Sequence, residues 1–418
     1  MTPNLFTPLQ LPNGVIIKNR LAKAAMEENL ADDQQAPGQL LQQLYRAWNQ
    51  GGAGLLLTGN VMVDGTALTG PGGVVLEDDT RFEKFRQWAA IGREQDCQFW
   101  MQINHPGRQT YASMKQEAKG PSAIAVNIPG LERMFAVPKA MTADDITDVQ
   151  ARFCRTAVLA EKAGFSGVQI HAAHGYLLSQ FLSPLTNTRT DQWGGSLENR
   201  ARLLLDIVKA VRAATAPGFC VAVKLNSADF QRGGFDHADA LQVVTWLNEL
   251  SVDLLEVSGG SYESPAMQGQ TSDERSLARE AYFLDFASEV RAIATMPVMV
   301  TGGIRRREVA EAVLASGVDM VGIATALVFA PDLPRRWQAG HHDVPAVKVA
   351  WRKKALAAAA VMAIIKTQLA RLANGQQPRL RTQPLLALIR TQWRMARRTR
   401  VYWRWLAARS TPATQVIT

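Results

Sequence analysis

The sequence predicts the α/β class: a (β/α)8 TIM barrel followed by a basic helical C-terminal extension. Three observations predict it. Eight short, near-continuous apolar runs recur before residue 340, each followed by a longer segment with apolar residues at helical spacing. No GxGxxG follows the first run, which counts against the runner-up, a doubly wound sheet. Past residue 340 the strand pattern stops and the charge changes sign.

Taken in order, the strands read as LAKAAM (21–26), LLLTGNVMV (55–63), FWMQI (99–103), GVQIHA (167–172), CVAVKL (220–225), DLLEVS (253–258), PVMVTG (297–302) and DMVGIA (319–324). Runs without strict alternation are what strands buried on both faces show. Helical spacing covers 38–50, 80–95, 142–163, 197–213, 236–250, 280–294, 305–315 and a short stretch from Pro331. Thr142, with Asp145 three residues on, has the spacing of a capping box. The Pro- and Gly-rich connection 104–141 is longer than a barrel loop needs, which suggests a lid or binding loop. The expected organisation is a barrel over 1–340 with that insertion, then a separate helical extension over 341–418. In the extension, helical pattern runs over 345–373, breaks at NGQQP (374–378) and resumes over 384–408.

Apolar residues at 47% and charged residues at 20% suit a soluble globular chain with a sizeable core. The N-terminus has no basic start followed by an apolar segment, and ALAAAAVMAII (355–365) stops at Lys366, too short to span a bilayer. Cys97, Cys154 and Cys220 are widely spaced, form no metal or cluster motif and suit a reducing compartment, so the expected location is cytoplasmic. The net charge of +9 conceals a division. Residues 341–418 hold fifteen Lys and Arg against one acid, Asp343, whereas residues 1–340 hold 31 basic against 36 acidic residues. The stretch LLALIRTQWRMARRTRVYWRWLAAR (385–409) mixes seven arginines with Trp393, Tyr402, Trp403 and Trp405. Three readings stay open for it: packing on its own barrel, peripheral contact with an anionic membrane face, or a protein partner. No recognition motif supports nucleic-acid binding, and a homo-oligomer is left open.

In such barrels, residues at the C-terminal strand ends build the active site. Those positions hold Ala25, Met26 and Glu27; Gly59 and Asn60; Gln102, Asn104 and His105; His171, His174 and Tyr176; Lys224; Ser258 and Gly259; Gly302 and Gly303; Ala324 and Thr325. The set is rich in amides, imidazoles and glycines and offers no carboxylate cluster for a metal. HxxH could be half a zinc site, but no third ligand sits at a partnering position. Two imidazoles beside a phenol suit holding an oxygen and delivering a proton to a neighbouring carbon. The TGGI (301–304) and GIAT (322–325) turns follow the seventh and eighth strands, where barrels commonly hold a phosphate.

Five ordered segments carry a resemblance: LFTPLQLPNGVIIKNRLAKAAM (5–26), QINHPGRQ (102–109), HAAHGYLLSQFLSPLTNTRTDQWGGSLENRAR (171–202), VAVKLNSADF (221–230) and the two glycine turns. Over residues 4–340 the chain resembles the old yellow enzyme family of NADH:flavin oxidoreductases, the FMN-dependent ene-reductases. The resemblance implies FMN held non-covalently, with NADH or NADPH as reductant. Ala25, Met26, Glu27 and Asn60 would lie along one flavin edge, Gln102 on the pyrimidine side and Lys224 near N1. Gly302, Gly303, Ala324 and Thr325 would surround the phosphate. His171 and His174 would bind the carbonyl oxygen of an electrophilic alkene, a small-molecule substrate, and Tyr176 would protonate it. The same fold and cofactor also serve NAD(P)H oxidase, quinone reductase or dehydrogenase reactions, and a non-enzymatic flavin sensor or scaffold recruited to a membrane by the tail is a third reading.

The sequence departs from the family pattern at four places. Ala25-Met26-Glu27 stands where Pro-Met-Thr or Pro-Met-Cys is usual, and Asn29 stands where an aromatic is common. Trp193 replaces a tyrosine before the double glycine, and Thr325 stands where a phosphate-binding arginine is expected, leaving backbone donors or Arg305 for that role. His105, Arg108 and the NTRTDQWGGSLENR stretch are expected to brace loops rather than act on substrate.

Overall fold

The structure, a computed structural model, describes residues 4–264, 281, 283–341 and 347–410. Eight strands form the barrel: β1 (Leu21–Lys23), β2 (Leu55–Leu57), β3 (Gln98–Asn104), β4 (Gly167–Ala172), β5 (Cys220–Asn226), β6 (Leu254–Ser258), β7 (Val298–Thr301) and β8 (Met320–Ile323). Each is parallel to the next, and β8 pairs with β1 to close the ring. Around it lie α1 (Gln39–Asn49), α2 (Phe82–Gly92), α3 (Ala143–Ala163), α4 (Leu197–Ala214), α5 (His237–Leu247), α6 (Leu284–Ile293), α7 (Arg307–Ala315) and α8 (Leu333–Gln338). The predicted TIM barrel is what the chain adopts.

Side-chain chemistry explains the elements. Thr142 closes a reciprocal capping box with Asp145, and α3 ends at Gly164 with φ 96°, a left-handed cap. Asp236 and Ser196 cap α5 and α4. The strands that read as continuously apolar alternate after all. Leu56, Val168, Ile170, Val221, Val223 and Leu255 join the buried layer beneath the helices, whereas Leu55, Leu57, Trp100, Ala222, Leu254, Met299 and Met320 join a separate cluster inside the barrel. Leu9, Leu11 and Ile17, from the hairpin Leu9–Gln10 and Ile16–Ile17, belong to that inner cluster and plug the N-terminal end. The inside is therefore apolar at the bottom. Toward the C-terminal ends, the inward register (Trp100, Gln102, Asn104 on β3; Ala222, Lys224, Asn226 on β5; Leu254, Glu256, Ser258 on β6) turns polar.

Several expected boundaries shift. β1 ends at Lys23 rather than residue 26, so Ala25, Met26 and Glu27 lie on irregular chain. The second run breaks after Leu57 and resumes as the short strand Val61–Met62, paired with the end of β3. Gly59 lies at this break, its amide donating to Glu28 Oε1 at 3.1 Å. A Cβ there would come within 2.1 Å of Glu28 Oε2, so only glycine fits. The sixth helix begins at Leu284; residues 280 and 282 of the expected span lie outside the described residues.

Two further helices follow, α9 (Lys354–Ala373) and α10 (Pro384–Ser410). α9 starts later than expected, at Lys354, and residues 342–346 and 411–418 are outside the described set. Rather than standing apart, α9 places Ala363, Ile364, Ile365, Leu369 and Leu372 in the same apolar cluster as Leu41, Leu44 and Tyr45 of α1. Residues Leu356–Ala373 are long and apolar enough to cross a membrane by length and composition, yet 56% of this stretch is buried within the protein. α10 runs back along the barrel mouth. The Trp403 indole donates to Met114 O in the 104–141 connection at 3.3 Å, Tyr402 Oη to Gly65 O at 2.9 Å, and Arg398 Nη1 to Ala31 O at 2.8 Å. Arg409 pairs with Glu77. Of the readings left open for the tail, packing on its own barrel is the one the structure shows.

Candidate active site

His171, the fifth residue of β4, lies beside Lys224 in the β4–β5 register. Its ring is buried, and Nδ1 accepts from Ala173 N at 3.2 Å. That bond fixes the neutral tautomer with the proton on Nε2. His174 sits three residues later in a left-handed conformation, φ 61°. Its amide donates to Asn226 Oδ1 at 3.1 Å, and its carbonyl accepts from Gln109 Nε2 at 3.0 Å. Nε2 of His174 lies 2.7 Å from Ser258 Oγ. The two imidazole centroids are 5.0 Å apart, and Tyr176 packs edge-on against His171 at 4.9 Å. The structure thus brings together the three residues that sequence spacing singled out.

Burial, reinforced by the charge of Lys224, holds both imidazoles well below the ordinary histidine pKa. Both are neutral donors or acceptors at physiological pH, not standing cations. Tyr176 Oη is 2.8 Å from Tyr262 Oη. Burial, and then the carboxylate of Glu27, push the Tyr176 phenol up, so it stays protonated and available to give a proton.

Beneath the rings a hydrogen-bonded chain crosses the barrel. Gln102 Nε2 donates to Gln169 Oε1 at 2.7 Å, and Gln169 Nε2 donates to Glu256 Oε2 at 2.7 Å. Glu256 also accepts from Thr301 Oγ1 at 2.7 Å and pairs with Lys224 at 2.8 Å. Gln102 and Lys224 are therefore tied to each other through two residues that the sequence reading passed over. On the opposite rim, Asn60 Nδ2 donates to Thr69 Oγ1 at 3.3 Å, and Thr69 donates in turn to Glu27 Oε1 at 2.5 Å. Ala25 packs toward the inner cluster, whereas Met26 packs against the layer under the helices. Gly302 and Gly303 follow β7, and Ala324 and Thr325 follow β8 beside them, Thr301 facing Gly322 in the register.

The donor set suits a flavin mononucleotide. Gly302 at φ 156° and Gly303 at φ 69° leave backbone free of side chains where a phosphate would be cradled. Asn104, next in the inward register after Gln102, buries both amide atoms without a protein partner among the described residues. A buried orphaned amide costs about 1–3 kcal/mol, which a polar ligand at the mouth would recover.

The remaining motif residues brace loops, as expected. Arg108 donates to Ala125 O at 2.8 Å and pairs with Glu263. His105 Nδ1 accepts from Gly107 N at 3.1 Å. Asn187 Nδ2 donates to Phe181 O and Trp193 O, and Arg189 donates to Pro121 O and Met141 O. Sequence reasoning missed Gln169, Glu256, Asn226, Tyr262 and Thr69. The first three were signalled by polar residues standing in the inward register of otherwise apolar strands.

The model of the NADH:flavin oxidoreductase / NADH oxidase family matches residues 4–343. The NADH-dependent flavin oxidoreductase iliE of Neonectria sp. (strain DH2) is 38% identical over 353 residues, 78% of this chain and 46% of that protein. This chain therefore spans less than half of that relative. The NADH-dependent flavin oxidoreductase iccE of Talaromyces variabilis is 36% identical over 356 residues, 79% of this chain and 86% of that protein. The old yellow enzyme homologue of Zymomonas mobilis has a similar structure, with a TM-score of 0.71 at 25% identity, covering 82% of this chain and 95% of that one. With the family match covering residues 4–343, which hold the whole barrel, the chain belongs to the NADH:flavin oxidoreductase / NADH oxidase family, the old yellow enzyme group of FMN- and NAD(P)H-dependent oxidoreductases.

Proposed function

We propose that the chain is an ene-reductase, reducing C=C bonds conjugated to a carbonyl or nitro group at the expense of NADH or NADPH. The observation that carries this reading is the gathering of His171, His174 and Tyr176, two neutral imidazoles and a protonated phenol, within ring-contact distance at the open end of the barrel. Ala25, Glu27, Asn60, Gln102 and Lys224, with the backbone at Met26, would hold the flavin ring, and Gly302, Gly303, Ala324 and Thr325 the phosphate. When bound, FMN supplies a hydride at N5, drawn from the nicotinamide in a separate half-reaction, so the kinetics are ping-pong. The Nε2–H of His171 and the ring of His174 hydrogen-bond the substrate oxygen, which polarises the alkene and leaves its β-carbon electrophilic. Tyr176 gives its proton to the α-carbon and is reprotonated through Tyr262, 2.8 Å away. Lys224 faces Glu256, so its charge is compensated and acts on the flavin less strongly than a free lysine would.

In this reading residues 1–340 form the catalytic unit of a cytoplasmic enzyme, and 341–418 its extension. The outer face of α10 exposes Leu385, Ile389 and Trp393 beside Arg390, Arg397 and Arg404, which suits contact with an anionic lipid surface. The test of the reaction is anaerobic stopped flow: the protein is reduced with NADH or NADPH, then mixed with cyclohexenone or with a quinone. Fast reoxidation by cyclohexenone is expected. Reoxidation by the quinone or by oxygen alone would assign the chain to the oxidase or quinone reductase reaction instead.

A further inference from the structure

One side chain at the barrel mouth comes from outside the family region. Lys366 lies on α9, beyond residue 343 where the family match ends, on the helix face that buries Ala363, Ile365, Leu369 and Ala370. Its ammonium donates to the carbonyl oxygen of Glu27 and to Asn29 Oδ1, and it lies 3.8 Å from Glu27 Oε2. Burial lowers its pKa and Arg398 adds to that, while the carboxylates of Glu27 and Glu28 oppose it. The contact falls on two of the positions where this chain departs from its family: Glu27 in place of a small donor, Asn29 in place of an aromatic.

Glu27 lines a small cavity with Asn29, Gly59 and Asn60. Its carboxylate accepts from Thr69, and its field adds to the burial that raises the pKa of Tyr111, Tyr176 and Tyr262. A carboxylate at the flavin edge with no counter-charge opposes the arrival of electrons on the ring. Lys366 supplies that counter-charge. It also grips the backbone at Glu27 and the side chain of Asn29, which sits at φ 55°, while Arg398 of α10 holds Ala31 O two residues on. The extension is thus fastened along the segment that follows β1.

We propose that Lys366 is a positioning residue of the active site: it fixes the Glu27–Asn29 segment and neutralises Glu27, so that the C-terminal extension tunes the flavin. This rests on the reading that Ala25, Met26 and Glu27 line the cofactor.

The experiment uses the full chain and five variants: Lys366→Met, Lys366→Arg, Glu27→Gln, the Glu27→Gln/Lys366→Met double and Lys224→Met. Kd for oxidised FMN is measured by fluorescence quenching of the apoprotein, the flavin midpoint potential by dye equilibration, and folding by thermal melting. For Lys366→Met the affinity for reduced relative to oxidised FMN is expected to fall about tenfold, a potential about 30 mV lower for a two-electron couple. Lys366→Arg keeps the wild-type potential, Glu27→Gln raises it, and the double variant returns toward wild type. The proposal is overturned if Lys366→Met moves only the melting temperature, or if the double variant matches Lys366→Met. Should Lys366→Met not fold, an unchanged potential in Glu27→Gln overturns it. Lys224→Met separates the two layers: if it moves the potential while the Lys366 and Glu27 variants do not, the proposal fails and the site stands. If none of them moves either FMN affinity or potential, the reading of the site itself fails.

Discussion

Lys224 lies 2.8 Å from Glu256 in the middle of the barrel, with both side chains almost sealed from solvent. Glu256 also takes hydrogen bonds from Gln169 and Thr301, so its carboxylate is saturated and the pair tolerates burial. Removing one partner leaves the other as an uncompensated buried charge. Glu256→Gln is therefore expected to cost about 3–5 kcal/mol of stability, measured by urea unfolding, and the Glu256→Gln/Lys224→Met double variant to recover most of it. Additive losses in the double variant would mean that the two residues act independently.

His174 depends on its neighbours in the same way. Its φ of 61° is uncommon for a non-glycine residue, and Asn226 and Ser258 hold the amide and the ring. Ser258→Ala frees the ring and should lower kcat/KM for cyclohexenone about tenfold, the equivalent of one hydrogen bond, with FMN content unchanged. Equal activity in the variant would show that substrate alone orients His174.

The barrel was legible because its strands and helices follow local rules: apolar runs, 3.6-residue spacing and the Thr142–Asp145 cap. The three candidate rings were legible because they sit three and two residues apart, from the end of β4 into the turn that follows it. What escaped was every contact between distant strands. Glu256 reads as a blemish in DLLEVS until β5 and β6 are placed side by side and Lys224 faces it. Met26 falls inside a matching segment, yet its side chain packs under the helices, because β1 ends at Lys23 and the chain then leaves the ladder. Lys366 gave no signal, since a lysine on a helix is ordinary until the helix is docked.

In the proposed reaction Tyr176 and Tyr262, 2.8 Å apart, would separate the two half-reactions. Proton donation concerns only the alkene, so Tyr176→Phe should leave reduction by NADH or NADPH near wild type. It should slow reoxidation by cyclohexenone by about 10²–10⁴-fold, the usual range for a lost general acid. A quinone, which needs no proton on carbon, should reoxidise the variant at nearly the normal rate. Tyr262→Phe should slow the same step less, because Tyr176 keeps its first proton. Equal rates for Tyr176→Phe and wild type with cyclohexenone would move the proton donor elsewhere.

His105 gives the fold a pH dependence of its own. Burial lowers its pKa from the ordinary 6.5 to about 4, against the pull of Asp64 and Asp148 and with Arg152 and Lys119 adding to the shift. Above pH 6.5 the ring is neutral in the folded and unfolded chain alike, and it contributes nothing to the pH dependence. Below that the unfolded chain takes up a proton that the folded chain refuses, so stability falls as pH drops from 6.5 toward 4 and levels off beneath. The loss from this one ring is roughly 3 kcal/mol, and His171 and His174, shifted the same way, deepen it. His105→Asn can still accept from Gly107 N but cannot titrate. Urea unfolding of this variant between pH 4 and 7 should show a slope shallower by about 1.4 kcal/mol per pH unit, one proton fewer. An unchanged slope would place the acid sensitivity in other groups.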